Sequence, residues 1–220
     1  MPSSSRPLTG PLLRWYGKHG RHGLPWRATG RSPYELLIAE ILLQRTTAAA
    51  VSGAYVPFVA RYPTPETVVA APSDEIEDRI APLGLSKRAE FIERCSGQLL
   101  ARHSGRIPRC RSELAKLHGV GAYTARSVAV HAFGENVSAV DTNVRRLISR
   151  FFGLERDSDA IAVLADEIAP SDRSSDFLYA MLDFAADVCT PRNPECSDCP
   201  LGDDCVSAGL ESDRSSDNAD

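Results

Sequence analysis

The feature that most constrains this chain is a succession of helix signals with no strand pattern between them. Ser32 precedes Pro33, and Glu35 follows the serine by three positions, which is the pattern of a capping box at a helix start. Apolar residues then recur at spacings of three and four, and glycine or proline ends most segments. No segment alternates apolar and polar residues convincingly. The sequence therefore predicts an all-α fold of many short helices.

The helix that begins at this capping box is predicted to run to about residue 52. Segments with the same periodicity follow at short intervals. The further predicted helices cover residues 64–71, 73–84, 86–105, 110–117, 124–133, 142–152, 158–168 and 174–188. Residues 1–10 are predicted to be a flexible lead, and residues 206–220, which are polar and acidic, a disordered tail.

The composition is that of a soluble globular protein. The 220 residues are 43% hydrophobic and 25% charged, which allows a sizeable core in one domain or two small ones. No apolar run approaches the ~20 residues of a membrane span, and the polar N-terminus lacks the apolar segment of a signal peptide. We therefore expect an intracellular, cytoplasmic protein with no membrane partner.

Four of the six cysteines form the strongest motif, Cys189-x6-Cys196-x2-Cys199-x5-Cys205. A structural zinc site more often has two close pairs separated by a longer loop, and here only one pair is close. The spacing favours a compact iron–sulfur cluster held by a short loop. A structural zinc ion is the first alternative, and two disulfides are a more distant one.

A second motif is the glycine hairpin Gly119-Val120-Gly121, which lies between two predicted helices. Both glycines allow positive φ and a close approach of the backbone. The hairpin amides and the next helix N-terminus can bind a phosphate oxygen, so this grip on DNA needs no basic surface in a chain of net charge −4. A tight turn between two helices is the structural alternative.

Two carboxylates are candidates for chemistry. Glu40 interrupts an apolar helix, and its predicted helical face continues to Gln44 and Thr47; Arg27 or Arg45 could instead satisfy a buried glutamate. Asp141 precedes a predicted helix start, where amides favour an ionised carboxylate, although an ordinary cap has the same pattern. A desolvated acid beside an ionised carboxylate can break glycosidic bonds, and a nucleobase–deoxyribose bond is glycosidic.

Together these motifs resemble the helix-hairpin-helix DNA glycosylases of the endonuclease III superfamily. The resemblance runs from about Leu24 to Cys205 and rests on LPWR, PYELLIAEILLQRTT, LHGVGAYTA, VDTNVRR and the cysteine loop. It implies a six-helix barrel domain over residues 30–136, with its helix-hairpin-helix at 112–133. It also implies a second helical domain, from residues 11–29 and 137–205, that carries a [4Fe-4S] cluster. Duplex DNA would lie across both, with the target base flipped out between them.

The residue after Gly-Val-Gly-Ala separates the branches of this family. Endonuclease III members have a lysine there that forms a Schiff base, whereas this chain has Tyr123, which cannot. Glu40 is shared with adenine DNA glycosylases, but these normally have a serine in place of Tyr123 and a C-terminal domain that is expected to be missing here. Glu40, Tyr123 and Asp141 together are most similar to the archaeal-type thymine-DNA mismatch glycosylases, which implies weak or no lyase activity.

The resemblance and the motifs also imply the DNA contacts. Hairpin and loop residues would bind phosphates, and residues near Gln44 would fill the gap in the duplex or read the opposite guanine. The predicted DNA-binding residues are Gln44, Arg45, Thr46, Lys87, Arg88, His118, Gly119, Val120, Gly121, Thr124 and Asn143. His118 replaces the usual proline of the family, and the cysteine loop is mostly acidic, so modest DNA affinity is expected.

The predicted function is therefore a monofunctional base excision repair glycosylase. It would be a monomer that acts on duplex DNA with a mismatched or damaged base and releases thymine or uracil opposite guanine. One alternative is an adenine glycosylase that acts on A:G or A:8-oxoguanine pairs. The other is a non-catalytic helix-hairpin-helix DNA-binding protein, although such a protein would not need both Glu40 and Asp141.

Overall fold

The computed structural model describes residues 8–84 and 87–209, and the regular secondary structure of this part of the chain is all helical, without strands. A further helical turn covers residues 206–209, and short 3-10 turns cover Pro25–Arg27, Ala81–Leu83 and Gly202–Asp204. The helices with defined bounds are α1 (Thr9–His19), α2 (Pro33–Leu42), α3 (Ala48–Arg61), α4 (Pro65–Val69), α5 (Ser73–Ile80), α6 (Lys87–His103), α7 (Arg111–Leu114), α8 (Ala122–Phe133), α9 (Thr142–Phe152), α10 (Ala160–Glu167) and α11 (Ser174–Asp187). The all-α prediction is confirmed. Among the described residues, none of the helices has the length and apolar character required to cross a membrane.

The chain divides into two compact units. The middle unit is His22–Gly134, and the terminal unit combines Met1–Arg21 with Glu135–Asp220.

The middle unit is organised around α2, whose apolar side chains are almost all buried. The predicted capping box forms: the Ser32 hydroxyl accepts a hydrogen bond from the Glu35 amide at 3.2 Å, and the Glu35 carboxylate accepts one from the Ser32 amide at 2.7 Å. Helix α2 packs against α8, α3 and α6. The side chains that it buries there include Leu37, Ile38, Ile41 and Leu42.

The prediction of one continuous helix to residue 52 is wrong. Helix α2 ends at Leu42 and α3 begins at Ala48, with a tight turn between them. Arg45 in this turn has φ of +55°, and Thr47 caps α3 by accepting a hydrogen bond from the Ala50 amide at 3.3 Å. Threonine is a good N-cap, and a new helix start at Thr47 competes with continuation of the old one.

The terminal unit is built on α11, which packs against α1 and α9, while α10 packs against α9. Leu8 is buried and the Thr9 hydroxyl donates to the Ile168 carbonyl at 3.0 Å, so residues 8–10 are not a flexible lead. Residues 206–209 are also ordered rather than part of a disordered tail, because the Ser207 hydroxyl donates to the Arg150 carbonyl at 3.0 Å. The rest of the predicted lead and tail, residues 1–7 and 210–220, lies outside the described residues.

Candidate active site and iron–sulfur centre

Glu40 lies on α2 and is only partly buried, unlike the apolar residues around it. Its Oε1 atom accepts a hydrogen bond from the Ser127 hydroxyl of α8 at 2.8 Å. Ser127 has no exposed surface. The sequence interpretation considered only arginines as partners for Glu40 and missed this serine.

The turn after α2 carries three of the predicted DNA-binding residues. The predicted face from Glu40 through Gln44 to Thr47 does not exist, because the helix ends before Gln44. Instead the Gln44 side-chain carboxamide donates to the Gly119 carbonyl of the hairpin at 2.9 Å. Arg45 is exposed in a left-handed conformation, and Thr46 is half-buried beside it.

The structure contradicts the prediction that Arg88 binds phosphate. Arg88 is fully buried near the start of α6, and its guanidinium donates to the carbonyls of Leu83, Gly84 and Gln44. Burial lowers the pKa of this guanidinium. The sequence predicts a surface loop at this position, whereas Arg88 is buried and stabilises the turn at Gln44 through its hydrogen bond to the Gln44 carbonyl. Lys87, the preceding residue, is exposed and stays a predicted phosphate contact.

The hairpin between α7 and α8 is held tightly against α6. Gly119 has φ of +77°, and a Cβ atom there would lie 2.7 Å from the Phe91 side chain. The His118 amide donates to the Gln98 carboxamide at 2.6 Å, and the His118 ring packs edge-on to Phe91 with its Nε2 atom 3.7 Å from Glu90. Only Gly119 requires glycine for its φ, since Gly121 has φ of −87°.

Two predicted contacts of the hairpin differ in the structure. Val120 is buried, and its amide donates to the Leu117 carbonyl at 3.1 Å. Thr124 is 5% exposed and faces the core. Neither residue is therefore placed to contact phosphate. The exposed N-terminus of α8 begins after Gly121, whose side chain cannot cap the first amides, and Tyr123 lies half-buried in this first turn.

Asp141 caps α9 in the terminal unit. Its Oδ1 atom accepts hydrogen bonds from the backbone amides of Asn143 and Val144 at 2.8 and 2.7 Å, and its Oδ2 atom accepts one from the Asn143 carboxamide at 3.0 Å. Three donors and the helix N-terminus favour a negative charge at this position. The predicted helix start is confirmed, while the Asn143 side chain is engaged locally by Asp141.

Two arginines of α9 connect this cap to the cysteine loop. Arg146, which is buried, donates to the Asn143 side-chain oxygen at 3.0 Å and to the carbonyls of Ala185 and Cys189 at 2.7 and 2.9 Å. Arg150 donates to the Thr190 carbonyl at 2.7 Å and lies 3.5 Å from the Cys189 sulfur. Neither arginine was singled out from the sequence, because the carbonyls of Ala185, Cys189 and Thr190 that they bind are about 40 residues away.

The four C-terminal cysteines line one cavity in the terminal unit. Apolar residues of α9, α11 and the loop surround them, together with Arg150. All six cysteines are free in the structure, so it does not contain the disulfides of the more distant alternative. Four thiols around an apolar cavity fit a polynuclear iron–sulfur cluster instead.

A helix-hairpin-helix with two candidate carboxylates and a cysteine loop defines a class of base excision DNA repair proteins. The family model described as "HhH-GPD superfamily base excision DNA repair protein" matches residues 38–168, and the iron-sulfur binding domain of endonuclease III matches residues 189–205. The chain belongs to the HhH-GPD superfamily. The predicted family, DNA glycosylase class and iron–sulfur cluster are thereby confirmed.

Relatives cover nearly the whole chain. It is 36% identical to a thymine-DNA glycosylase of Aeropyrum pernix (89% of this chain, 91% of the relative) and 38% identical to a thymine/uracil-DNA glycosylase of Methanothermobacter thermautotrophicus (84% and 86%). It is 35% identical to an adenine DNA glycosylase of Mycobacterium tuberculosis, covering 88% of this chain and 68% of that one.

Solved structures of DNA repair proteins also match the fold of this chain. A thermostable thymine-DNA glycosylase matches with a TM-score of 0.86 at 36% identity and covers 92% of this chain and 95% of its own. Endonuclease III in a non-covalent complex with DNA matches with a TM-score of 0.79 at 30% identity, covering 92% and 94%.

Proposed function

We propose that this protein is a monofunctional DNA glycosylase that hydrolyses the N-glycosidic bond of thymine or uracil mispaired with guanine. The observation that carries this proposal is the geometry of Asp141, with three N–H donors on its carboxylate at the head of α9. The thymine- and thymine/uracil-specific relatives, similar over most of both chains, support the choice of base.

Asp141 supplies the negative charge that the reaction needs. Loss of a base from deoxyribose develops positive charge on the sugar, and a fixed carboxylate stabilises that charge without rearranging. The donors at 2.7–3.0 Å hold the carboxylate in one orientation before substrate arrives. The same carboxylate can orient the water that attacks the sugar carbon.

Tyr123 accounts for the expected lack of strand cleavage. A lyase of this family needs an amine that attacks the sugar and forms an imine, and a phenol cannot form that bond. Tyr123 lies in the first turn of α8, half-buried, where its ring can pack against a flipped nucleoside. Base release without strand cleavage is the expected result.

The hairpin and the turn after α2 hold the duplex. The first amides of α8 bind a phosphate oxygen, with Lys87 as an additional cation. Gln44 and Arg45 then enter the duplex where the base leaves, since both lie in the turn that contacts the hairpin. The partner is thus duplex DNA with a mismatched base, and the protein acts as a monomer associated with the nucleoid.

Cys189, Cys196, Cys199 and Cys205 are the proposed ligands of the [4Fe-4S] cluster. When bound, the cluster supplies four iron–thiolate bonds that cross-link the loop. Arg146 and Arg150 hold the Cys189 end of that loop against α9.

Single-turnover excision on a panel of duplexes tests this function. The panel contains T:G, U:G, A:G, A:8-oxoguanine, thymine glycol and hypoxanthine, each read with and without alkali. Product from T:G and U:G only after alkali is the expected result. Cleavage without alkali would contradict the monofunctional assignment.

Adenine excision is the second candidate, because an adenine DNA glycosylase matches at 35% identity and Glu40 fits that branch. Release of adenine with no release of thymine or uracil would establish it. Duplex binding without any base release would favour a DNA-binding protein that is not catalytic.

A further inference from the structure

Ser127 lies one helical turn after Tyr123, so both side chains lie on the same side of α8. Helix α8 packs against α2, and Ser127 reaches Glu40 across that contact. The two residues are 87 positions apart in the sequence. Neither the family match nor the relatives assign a role to this serine.

The Ser127 hydroxyl has only one proton to donate. Serine within a helix often donates it to the carbonyl four residues earlier, but here the proton goes to Glu40 Oε1 at 2.8 Å. The hydroxyl is fully buried, so water cannot take the place of this carboxylate. The hydrogen bond therefore couples the serine to Glu40 directly.

The surroundings strengthen the coupling. Leu37 and Ile41, next to Glu40 on α2, are fully buried, and a hydrogen bond to a charged group is stronger where water is sparse. A donor on a carboxyl oxygen favours its ionised form and fixes its rotamer. Glu40 would then act as a hydrogen-bond acceptor.

We propose that Ser127 is a positioning residue that orients Glu40 and keeps it an ionised acceptor in the active site. This role rests on the proposed glycosylase function. An ionised Glu40 also favours thymine and uracil as substrates, because the N3–H group of these bases can donate a hydrogen bond to a carboxylate. A departing adenine needs a proton donor instead. Glu40 touches the base, and Ser127 acts through Glu40.

Ser127→Ala tests this role, with Ser96→Ala as the matched control. Ser96 is also buried in the middle unit, but its hydroxyl lies 3.4 Å from the Tyr34 hydroxyl and not near Glu40. With the proposed substrates, Ser127→Ala should lower the single-turnover rate about tenfold while duplex affinity stays within about twofold. Ser127→Thr, which keeps the hydroxyl, should recover most of the rate, and Ser96→Ala should leave it unchanged.

A double-variant cycle with Glu40→Ala separates positioning from a general packing effect. If Ser127 acts through Glu40, then Ser127→Ala should change the rate less than about twofold once Glu40 is removed. An equal loss in both backgrounds, or no loss in Ser127→Ala alone, would overturn the proposal. If Glu40→Ala has no measurable activity, the same four proteins are compared by urea unfolding, where additive effects would overturn it.

The coupling between Ser127 and Glu40 can be measured whichever base is released. The cycle is run on whichever duplex of the panel the wild-type protein cleaves, so a failed thymine assignment leaves the coupling measurable. If adenine is the substrate and Ser127→Ala raises its release, the acceptor role is overturned for this enzyme's own substrate. If no duplex is cleaved, the unfolding cycle alone decides whether the two side chains are coupled.

Discussion

At the scale of single residues, Asp141 combines a structural and a proposed chemical role in one carboxylate. Asp141→Asn keeps an oxygen that can cap α9 but removes the negative charge that stabilises the sugar cation. We expect single-turnover excision to fall by at least about a hundredfold, as when one preorganised electrostatic group is removed from other active sites. Affinity for the uncleaved duplex should change little, which a filter-binding titration measures.

Asp159→Asn is the matched control for that change. Asp159 also precedes a helix of the terminal unit, but its side chain makes no capping hydrogen bond to α10. The control should retain full excision activity. Full activity in Asp141→Asn as well would show that the capped carboxylate is not part of the chemistry.

Tyr123→Lys addresses the proposed lack of lyase activity. A lysine amine at the start of α8 would lie close to several backbone amides, whose positive ends lower the pKa of an amine and favour its nucleophilic form. We expect strand cleavage without alkali and a covalent adduct with DNA after borohydride reduction. Tyr123→Phe should give neither product, and an adduct with the wild-type protein would contradict the monofunctional assignment.

Contacts that could be predicted from the sequence differ from contacts that were missed in how far apart the two partners lie along the chain. The partners of Asp141 are two and three positions ahead, so the cap could be predicted from a short motif. Glu40 was identified as unusual, but its partner Ser127 is 87 positions away, and no local pattern connects them. The burial of Arg88 was also missed, since one of the three carbonyls that it binds, that of Gln44, is 44 positions away.

At the scale of elements, the hairpin offers a paired test of its two glycines. Gly119→Ala places a Cβ atom 2.7 Å from Phe91 in a residue with φ of +77°, whereas Gly121→Ala has nothing within 4 Å and an ordinary φ. We expect Gly119→Ala to lower the free energy of unfolding by about 1–3 kcal/mol and to weaken duplex binding. Gly121→Ala should unfold like the wild-type protein in thermal melts.

Equal stability of the two alanine variants would show that neither the positive φ of Gly119 nor its close contact with Phe91 contributes to the stability of the hairpin. Duplex affinity gives a second readout, measured by fluorescence anisotropy at fixed salt because phosphate contacts depend on ionic strength. Gly121→Ala keeps the amide that leads into α8, so its affinity should stay close to wild type.

Helix starts in this chain were easier to predict than helix ends. The capping box at Ser32 and the cap at Asp141 each involve only residues within four consecutive positions. The end of α2 depends instead on a left-handed Arg45 and on the hydrogen bond from Arg88 to the Gln44 carbonyl, which periodicity does not contain. Apolar spacing alone therefore joined α2 and α3 into one helix.

At the scale of the whole molecule, the two ends of the chain fold into one unit. The Arg21 amide donates to the Asp183 carboxylate at 2.9 Å across 162 positions, and Thr9 bonds to the Ile168 carbonyl. Helical periodicity predicts each segment but not that α1 packs on α11. The family resemblance implied one domain built from an N-terminal helix and the C-terminal part, but it did not specify which helices pack together.

At the same scale, His131 of the middle unit makes the stability of the protein depend on pH. Burial, with a smaller contribution from the nearby charge of Arg27, lowers the pKa of His131 to about 3. In the unfolded chain this histidine binds a proton near pH 6.5, so the unfolded state holds more protons than the folded state between pH 6.5 and about 3. The free energy of unfolding must therefore fall as the pH drops through that window.

His131→Gln tests the size of this effect. Between pH 7.5 and 5.5 the wild-type protein should lose up to about 1.4 kcal/mol of stability through His131, and the variant should lose that much less. Urea unfolding followed by far-UV circular dichroism at both pH values measures the difference, and His22→Gln, at an exposed position, is the control. A variant that loses as much stability as the wild-type protein would place the acid sensitivity on other groups.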